Sequence, residues 1–309
     1  MDMILTEEKT LSERRVFQSI LKYKKIHTLF QPIISLNNGC PHGYEALSRG
    51  PAGTVFHSPL QLFSYAEKEG CLYLLEKLSR ELALKTATPL LADNEKIFIN
   101  ISAQVIYDSN FTPGHTLSLL NEYGFSPEQV VFEITERSAI HDFDAFREVL
   151  YHYRKQGFKI AIDDAGAGYS SLQAITELMP DYIKVDRSLI QHIDKKEVKQ
   201  NIVEAFVTFA KKTNAALVAE GIETKEELKK VISLGIHYAQ GFILSRPSNP
   251  IQQVPYDVVH TIQSANFHRH SRKKITITEH DDLIILKDGN PILETNAKNI
   301  LTAYQQLYR

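Results

Sequence analysis

The chain has no run of about 18 consecutive apolar residues, so nothing in it reads as a membrane-spanning helix. Its beginning, MDMILTEEKTLSERR, is charged and lacks the apolar core of a secretory signal. Cysteine is nearly absent. Cys40 and Cys71 stand without metal-type spacing, which argues against a disulfide framework and fits a reducing cytosol. Neither sign of charge dominates, since 35 basic residues face 37 acidic ones. The global basic field that would attract a DNA or RNA polymer is missing. The cytoplasm is the expected location. No Gly-x-Gly-x-x-Gly opens a helix after the first strand candidate, which lowers the case for an open doubly wound sheet.

What the chain does have is material for a core. Of its 309 residues, 43% are hydrophobic, enough for one large domain with extra elements. Residues 1–24 read as a charged helical lead-in. The runs HTLFQPIISL (27–36) and HGYEALSRG (42–50) are separated by a short Asn-Asn-Gly turn, and so brief a connection permits only antiparallel pairing. Strand and helix patterns then alternate. Ser58-Pro59 opens helical sequence that breaks near Gly70 and runs to about Ala92. Strands are expected at 96–102, 130–135, 158–164, 182–186, 215–221 and 237–244. Helices are expected at about 113–123, 142–156, 170–178, 195–212 and 224–234, the last opened by a Thr224/Glu227 capping box. Eight strands in about 220 residues suit a closed barrel of the TIM type, modified by its opening antiparallel hairpin. The expected fold is therefore α/β, a modified (β/α)8 barrel over residues 25–250. Residues 251–309 read as a linker and a small α+β appendage of two strands, a turn at Asp288-Gly289 and a helix.

Polar residues recur at the strand ends: Glu45, Asn100, Glu133, Asp163, Asp164, Lys184, Glu220 and Gln240. Glu136, Asp186 and Glu223 lie close behind. One such acid is usually a helix cap or a solvated rim residue. The recurrence at the same place in six of eight strands is the signal. A barrel brings the carboxyl ends of its strands to one face, where active sites lie. Buried acids are costly unless paired or bound to metal. Oxygen-only ligands favour Mg²⁺, Mn²⁺ or Ca²⁺ over zinc. Asp163 and Asp164 can serve one centre only if the backbone turns between them, because successive strand residues point to opposite faces.

In order and spacing, FQPI, YEALSRG, NIS, FEITE, IDDAGAGYSSL, IKVDRSLI, AEGIET and QGFILSRP resemble the EAL-domain cyclic di-GMP phosphodiesterases over about residues 25–250. The resemblance implies hydrolysis of cyclic di-GMP to linear pGpG with two Mg²⁺ or Mn²⁺ ions per site, and inhibition by Ca²⁺. It implies Glu45, Asn100, Glu133 and Asp163 as metal ligands. Asp164 would hold the second metal or the attacking water, Lys184 would fix that water, and Glu220 would be general base or ligand. Gln31, Arg49 and Gln240 would meet the substrate. Glu136, Asp186 and Glu223 would stand behind the ligands, with Glu136 and Glu223 holding the loop that begins at Asp164. Many relatives of this kind form homodimers.

The chain departs from the family's usual Asp-Asp-Phe-Gly-Thr-Gly loop. Ala165 and Ala167 replace the aromatic and the hydroxyl, while both carboxylates and both glycines remain. That change bears on rate and regulation. Two readings stay open at this point: an active phosphodiesterase, and a weak or non-catalytic cyclic di-GMP receptor or protein-interaction module. A sugar hydrolase using paired carboxylates would leave Asn100 and Lys184 unexplained.

Overall fold

In the computed structural model, residues 2–102, 108, 114–135, 143–167, 171–271, 276–277, 282–287 and 290–296 are described. Eight strands close into a barrel in sequence order. They are β1 (His27–Ser35), β2 (Pro41–Arg49), β3 (Lys96–Asn100), β4 (Val130–Thr135), β5 (Lys159–Ala165), β6 (Tyr182–Val185), β7 (Ala216–Ala219) and β8 (Tyr238–Ala239). β1 pairs antiparallel with β2 and also with β8, where Ile34 meets Ala239. All pairings from β2 round to β8 are parallel. The fold is the modified barrel expected from the pattern, and its antiparallel strand is the first.

Helices cover the outside: α1 (Asp2–Lys22), α2 (Pro59–Lys68), α3 (Leu72–Ala87), α4 (His115–Tyr123), α5 (Phe143–Lys155), α6 (Ser171–Leu178), α7 (Arg187–Ile190), α8 (Glu197–Thr213), α9 (Lys225–Leu234) and α10 (Tyr256–Ser271). The Thr224/Glu227 capping box opens α9, with each partner accepting from the other's backbone. α3 stops at Ala87 rather than near Ala92. Pro89 has no N–H with which to continue the helix.

β8 is much shorter than the eight residues its sequence suggests. Ile222 N–H donates to the Gln240 carbonyl, and a Cβ on Gly241 would lie 2.2 Å from the Ile222 oxygen. The chain then reverses, and the N–H groups of Leu244 and Ser245 both donate to the Gly241 carbonyl. A side chain at 241 would block this approach.

Two nested layers fill the barrel. Ile33, Phe98, Val131, Ala161, Tyr182 and Val218 pack together as an apolar plug. Two residues further along the parallel strands stand Asn100, Glu133, Asp163, Lys184 and Glu220, and two residues earlier on the antiparallel β1 stands Gln31. The period of two keeps each on the inward face. The polar layer therefore rests directly on the apolar one.

At the other end of the chain, α10 lies against α9 and buries Val258 and Ile262. Beyond it, β9 (Thr276–Ile277), β10 (Asp282–Lys287) and β11 (Asn290–Asn296) form a three-stranded antiparallel sheet. The sequence pattern suggests two strands there, and Thr276–Ile277 is the third. A two-residue strand is too short to show alternation. The expected final helix lies outside the described residues.

Candidate active site

The buried ammonium of Lys184 is the centre of the polar layer. Its Nζ lies 2.7 Å from Glu133 Oε1, 2.9 Å from Asp163 Oδ1, 2.9 Å from Glu220 Oε1 and 3.6 Å from Glu45 Oε2. Burial opposes its charge, but Asp163, Glu133, Glu220 and Glu45 together hold it well above the usual lysine value. Asn100 Nδ2 donates to Glu45 Oε1 and Glu133 Oε2, each at 3.2 Å. Gln240 Nε2 donates to Glu45 Oε2 at 2.6 Å and to Gln31 Oε1 at 3.0 Å, and Gln31 Nε2 donates to the Ser245 carbonyl.

The adjacent acids at 163 and 164 are explained by a bulge. β5 pairs Ile162 with Ile183 and then Ala165 with Val185, so two residues of β5 stand opposite Lys184 alone. Asp164 takes φ +56°, a left-handed conformation that Asp tolerates better than most residues. The backbone turn anticipated between the two aspartates is this bulge. Asp163, Asp164 and Glu220 each bring a carboxylate oxygen within 4.8 Å of the others.

One ammonium cannot neutralise this set. Burial pushes the carboxyls of Glu133 and Glu220 well above the usual range, and Lys184 reverses that only in part. Glu45 lies below its usual value, because Lys184, Gln240 and Asn100 outweigh its burial. Loss of water contact, then the charges of Asp163 and Asp186, raise Asp164 to about 6. Glu133 Oε1 and Asp163 Oδ1 have the Lys184 ammonium at ion-pair distance but no well-directed hydrogen bond. Surplus buried carboxylates with spare oxygen capacity are a donor set for a hard divalent cation. Asn100 fits such a set too, since its amide turned over presents oxygen instead of nitrogen. The residues present thus fit the metal that the sequence implies.

Two cavities flank the layer, and Asp164 lines both. The smaller, about 240 Å³, is walled by Gln31, Glu45, Asp186, Glu220 and Gln240. The larger, about 820 Å³, runs between α2, α3 and the ends of β2 and β3, past Arg49, Leu60, Phe63, Glu76 and Asn100. That is the size of a pocket for a substantial small molecule. Arg49 keeps a donor on the Ser48 carbonyl and faces the larger space.

The residues expected behind the ligands are placed less uniformly. Asp186 lies just past β6, where its Oδ1 accepts from Ser188 N–H and its own N–H donates to the Ala165 carbonyl. It therefore caps α7 and ties down the end of the bulge. Glu223 accepts from Arg187 Nη2 at 2.8 Å. Glu136 lies outside the described residues. Glu76 and Arg187 line the cavities without having been singled out from sequence. Glu76 was visible as an acid within the stripe Leu72, Leu75, Ser79 and Ala83 of α3, where an apolar residue is expected.

An EAL domain profile matches residues 13–247. The chain belongs to the EAL domain family. It is 31% identical over 224 residues to the cyclic di-GMP phosphodiesterase PdeL of Escherichia coli K12, covering 70% of this chain and 61% of that protein. It is 30% identical over 243 residues to the cyclic di-GMP phosphodiesterase PA2567 of Pseudomonas aeruginosa, covering 76% of this chain and 40% of that one. The chain thus spans about half the length of the curated relatives it matches. Among solved structures, Klebsiella pneumoniae BlrP1 with calcium and cyclic di-GMP aligns at 35% identity and a TM-score of 0.69, over 74% of this EAL chain and 58% of that one. BlrP1 has also been solved with manganese and cyclic di-GMP. A standalone EAL protein of Vibrio cholerae O395 with cyclic di-GMP bound aligns at 28% identity and a TM-score of 0.67, over 75% of this chain and 97% of that one.

Proposed function

We propose that this EAL domain hydrolyses cyclic di-GMP to linear pGpG and so lowers the level of that messenger. The observation that carries the reading is the ring of four carboxylates around one buried lysine, with Asp164 beside it, set between two cavities at the barrel mouth. Glu45, Asn100, Glu133, Asp163 and Asp164 would hold Mg²⁺ or Mn²⁺, two ions per site, with Ca²⁺ as an inhibitor. Such ions, when bound, neutralise the phosphodiester and make bound water a nucleophile near neutral pH.

The remaining roles follow from the chain's own groups. Lys184 has its ammonium fixed among four acids, which orients it toward the attacking water and keeps a positive charge beneath the phosphate. Glu220, whose carboxylate lies beside those of Asp163 and Asp164, takes the proton from that water. Arg49 offers a guanidinium to substrate in the larger cavity, where its planar fork suits phosphate oxygens. Gln31 and Gln240 hold one another and Glu45, and offer amides to the substrate's edge. Asp186 and Glu223 steady the bulge and the turn after β7, and Glu136 is assigned to the same support. On this reading residues 1–24 lead in, 25–250 form the catalytic barrel and 251–309 carry an appendage, with the working unit a cytoplasmic homodimer.

The test is direct. The chain is incubated with cyclic di-GMP and Mn²⁺ or Mg²⁺, and pGpG is followed by chromatography. Turnover is expected, and Glu220→Ala should lower it by about a hundredfold or more, as loss of a general base does. Tight binding of cyclic di-GMP with no product would establish the receptor reading instead. Full turnover by Glu220→Ala would refute the assignment of the base.

A further inference from the structure

Two further buried ionisable side chains lie under the wall of the larger cavity, outside the carboxylate ring. Glu76 and Arg80 stand one turn apart on α3, 5% and 4% exposed. Glu76 Oε1 accepts the backbone N–H of Ser102 at 2.9 Å. Arg80 Nη1 donates to Thr116 Oγ1 at 2.8 Å, and its guanidinium lies 5.4 Å from the Phe132 ring centre. Ser102 is two residues past Asn100, and Thr116 is in the first turn of α4. One face of α3 therefore grips both ends of the β3–α4 connection. On the β2 side the pairing of β3 ends at Ala46 with Ile99, while on the β4 side it runs on to the Ile101 N–H, which donates to the Glu133 carbonyl. The Ser102 N–H beyond it finds a carboxyl where a strand carbonyl would otherwise be.

Stability alone does not account for this pair. Glu76 Oε2 and Arg80 Nε are buried without hydrogen-bond partners. Buried polar atoms left without partners lower stability rather than add to it. Glu76 also shares its cavity wall with Asn100 and Asp164.

We propose that Glu76 is a positioning residue for Asn100, with Arg80 holding the far end of the same connection: Glu76 fixes the end of β3 so that the Asn100 amide meets Glu45 and Glu133 in register. The proposal rests on the reading of Asn100 as a metal ligand. Groups behind a metal ligand are typically worth 10–100-fold in metal affinity.

The experiment is a Mn²⁺ titration, by calorimetry or electron paramagnetic resonance, of the full chain and of four variants. The paired substitution Glu76→Leu with Arg80→Met leaves no lone buried charge. It is expected to weaken Mn²⁺ binding by about tenfold, the lower end of that range, without lowering the melting temperature. Glu76→Gln keeps an oxygen acceptor for Ser102 and is expected to bind Mn²⁺ like the parent. Thr116→Val removes only the far anchor and should give a smaller loss in the same direction, which keeps the test usable if the paired variant fails to fold. Asn100→Ala is the control. If Asn100→Ala loses affinity while the paired variant and Thr116→Val do not, the positioning role is refuted and the ligand reading stands. If Asn100→Ala binds Mn²⁺ unchanged, both fall. Loss of affinity in Glu76→Gln would also refute the role, because charge rather than the Ser102 hydrogen bond would then be what matters.

Discussion

Glu76 shows how one buried group sets a pH dependence. Burial outweighs both Arg80 and the Ser102 N–H and raises its carboxyl to about 8. The folded chain therefore keeps a proton there that the unfolded chain releases near pH 4.5. Between those values the native state binds more protons, so its stability falls as pH rises and levels off above about 8. Glu76→Gln removes the titration. The stability of the variant relative to the parent should grow across that window, by an amount of order a few kcal/mol at most. Urea unfolding at pH 5, 7 and 9 measures it, and a constant difference across the three would contradict the account. Lys184 is the opposite kind of residue. Its charge is secured by the acids around it, and sequence places it only as an inward position on a strand. That four carboxylates converge on it is a fact of closure.

Among the elements, the bulge in β5 decides most about the site. It places Asp163 and Asp164 opposite one residue of β6, and Gly166 then carries the chain away with φ +97°. A Cβ on Gly166 would lie 2.4 Å from Leu189 Cδ1. The end of a leucine can turn aside, so the left-handed backbone sets most of the cost. Gly166→Ala should destabilise the chain by about 1–3 kcal/mol, read as a lower melting temperature. It should also weaken turnover, because Asp164 is two residues away. The pair of glycines in IDDAGAG points to such a turn. Its form as a bulge was not legible, since a one-residue slip depends on what the neighbouring strand offers. The same holds for β8. Its eight-residue apolar pattern reads as a full strand, yet the closeness of Ile222 to Gly241 ends it after two residues.

At the scale of the whole molecule, α10 lies beyond the matched EAL segment and still belongs to the packed body. Asn266, nearly buried, donates to the carbonyls of Leu36, Asn37 and Ile262. It thus holds the β1–β2 connection at the end of the barrel away from the carboxylates. Asn266→Ala leaves buried carbonyls without a donor and should cost about 1–3 kcal/mol in urea unfolding, with turnover of cyclic di-GMP unchanged. A parallel fall in turnover would mean that the two ends of the barrel are coupled.

The sequence by itself determined the strand and helix order, the antiparallel start and the inward polar positions, because period-two alternation and short connections are local properties. It also determined the family, through eight separate motifs in a set order. The tertiary structure alone decided which acids share Lys184, that Asp163 and Asp164 face one partner across a bulge, and that Glu76 reaches the end of β3, and Arg80 the start of α4, from outside. Each of these depends on barrel closure and on contacts between residues tens of positions apart, and such contacts leave no period in the chain.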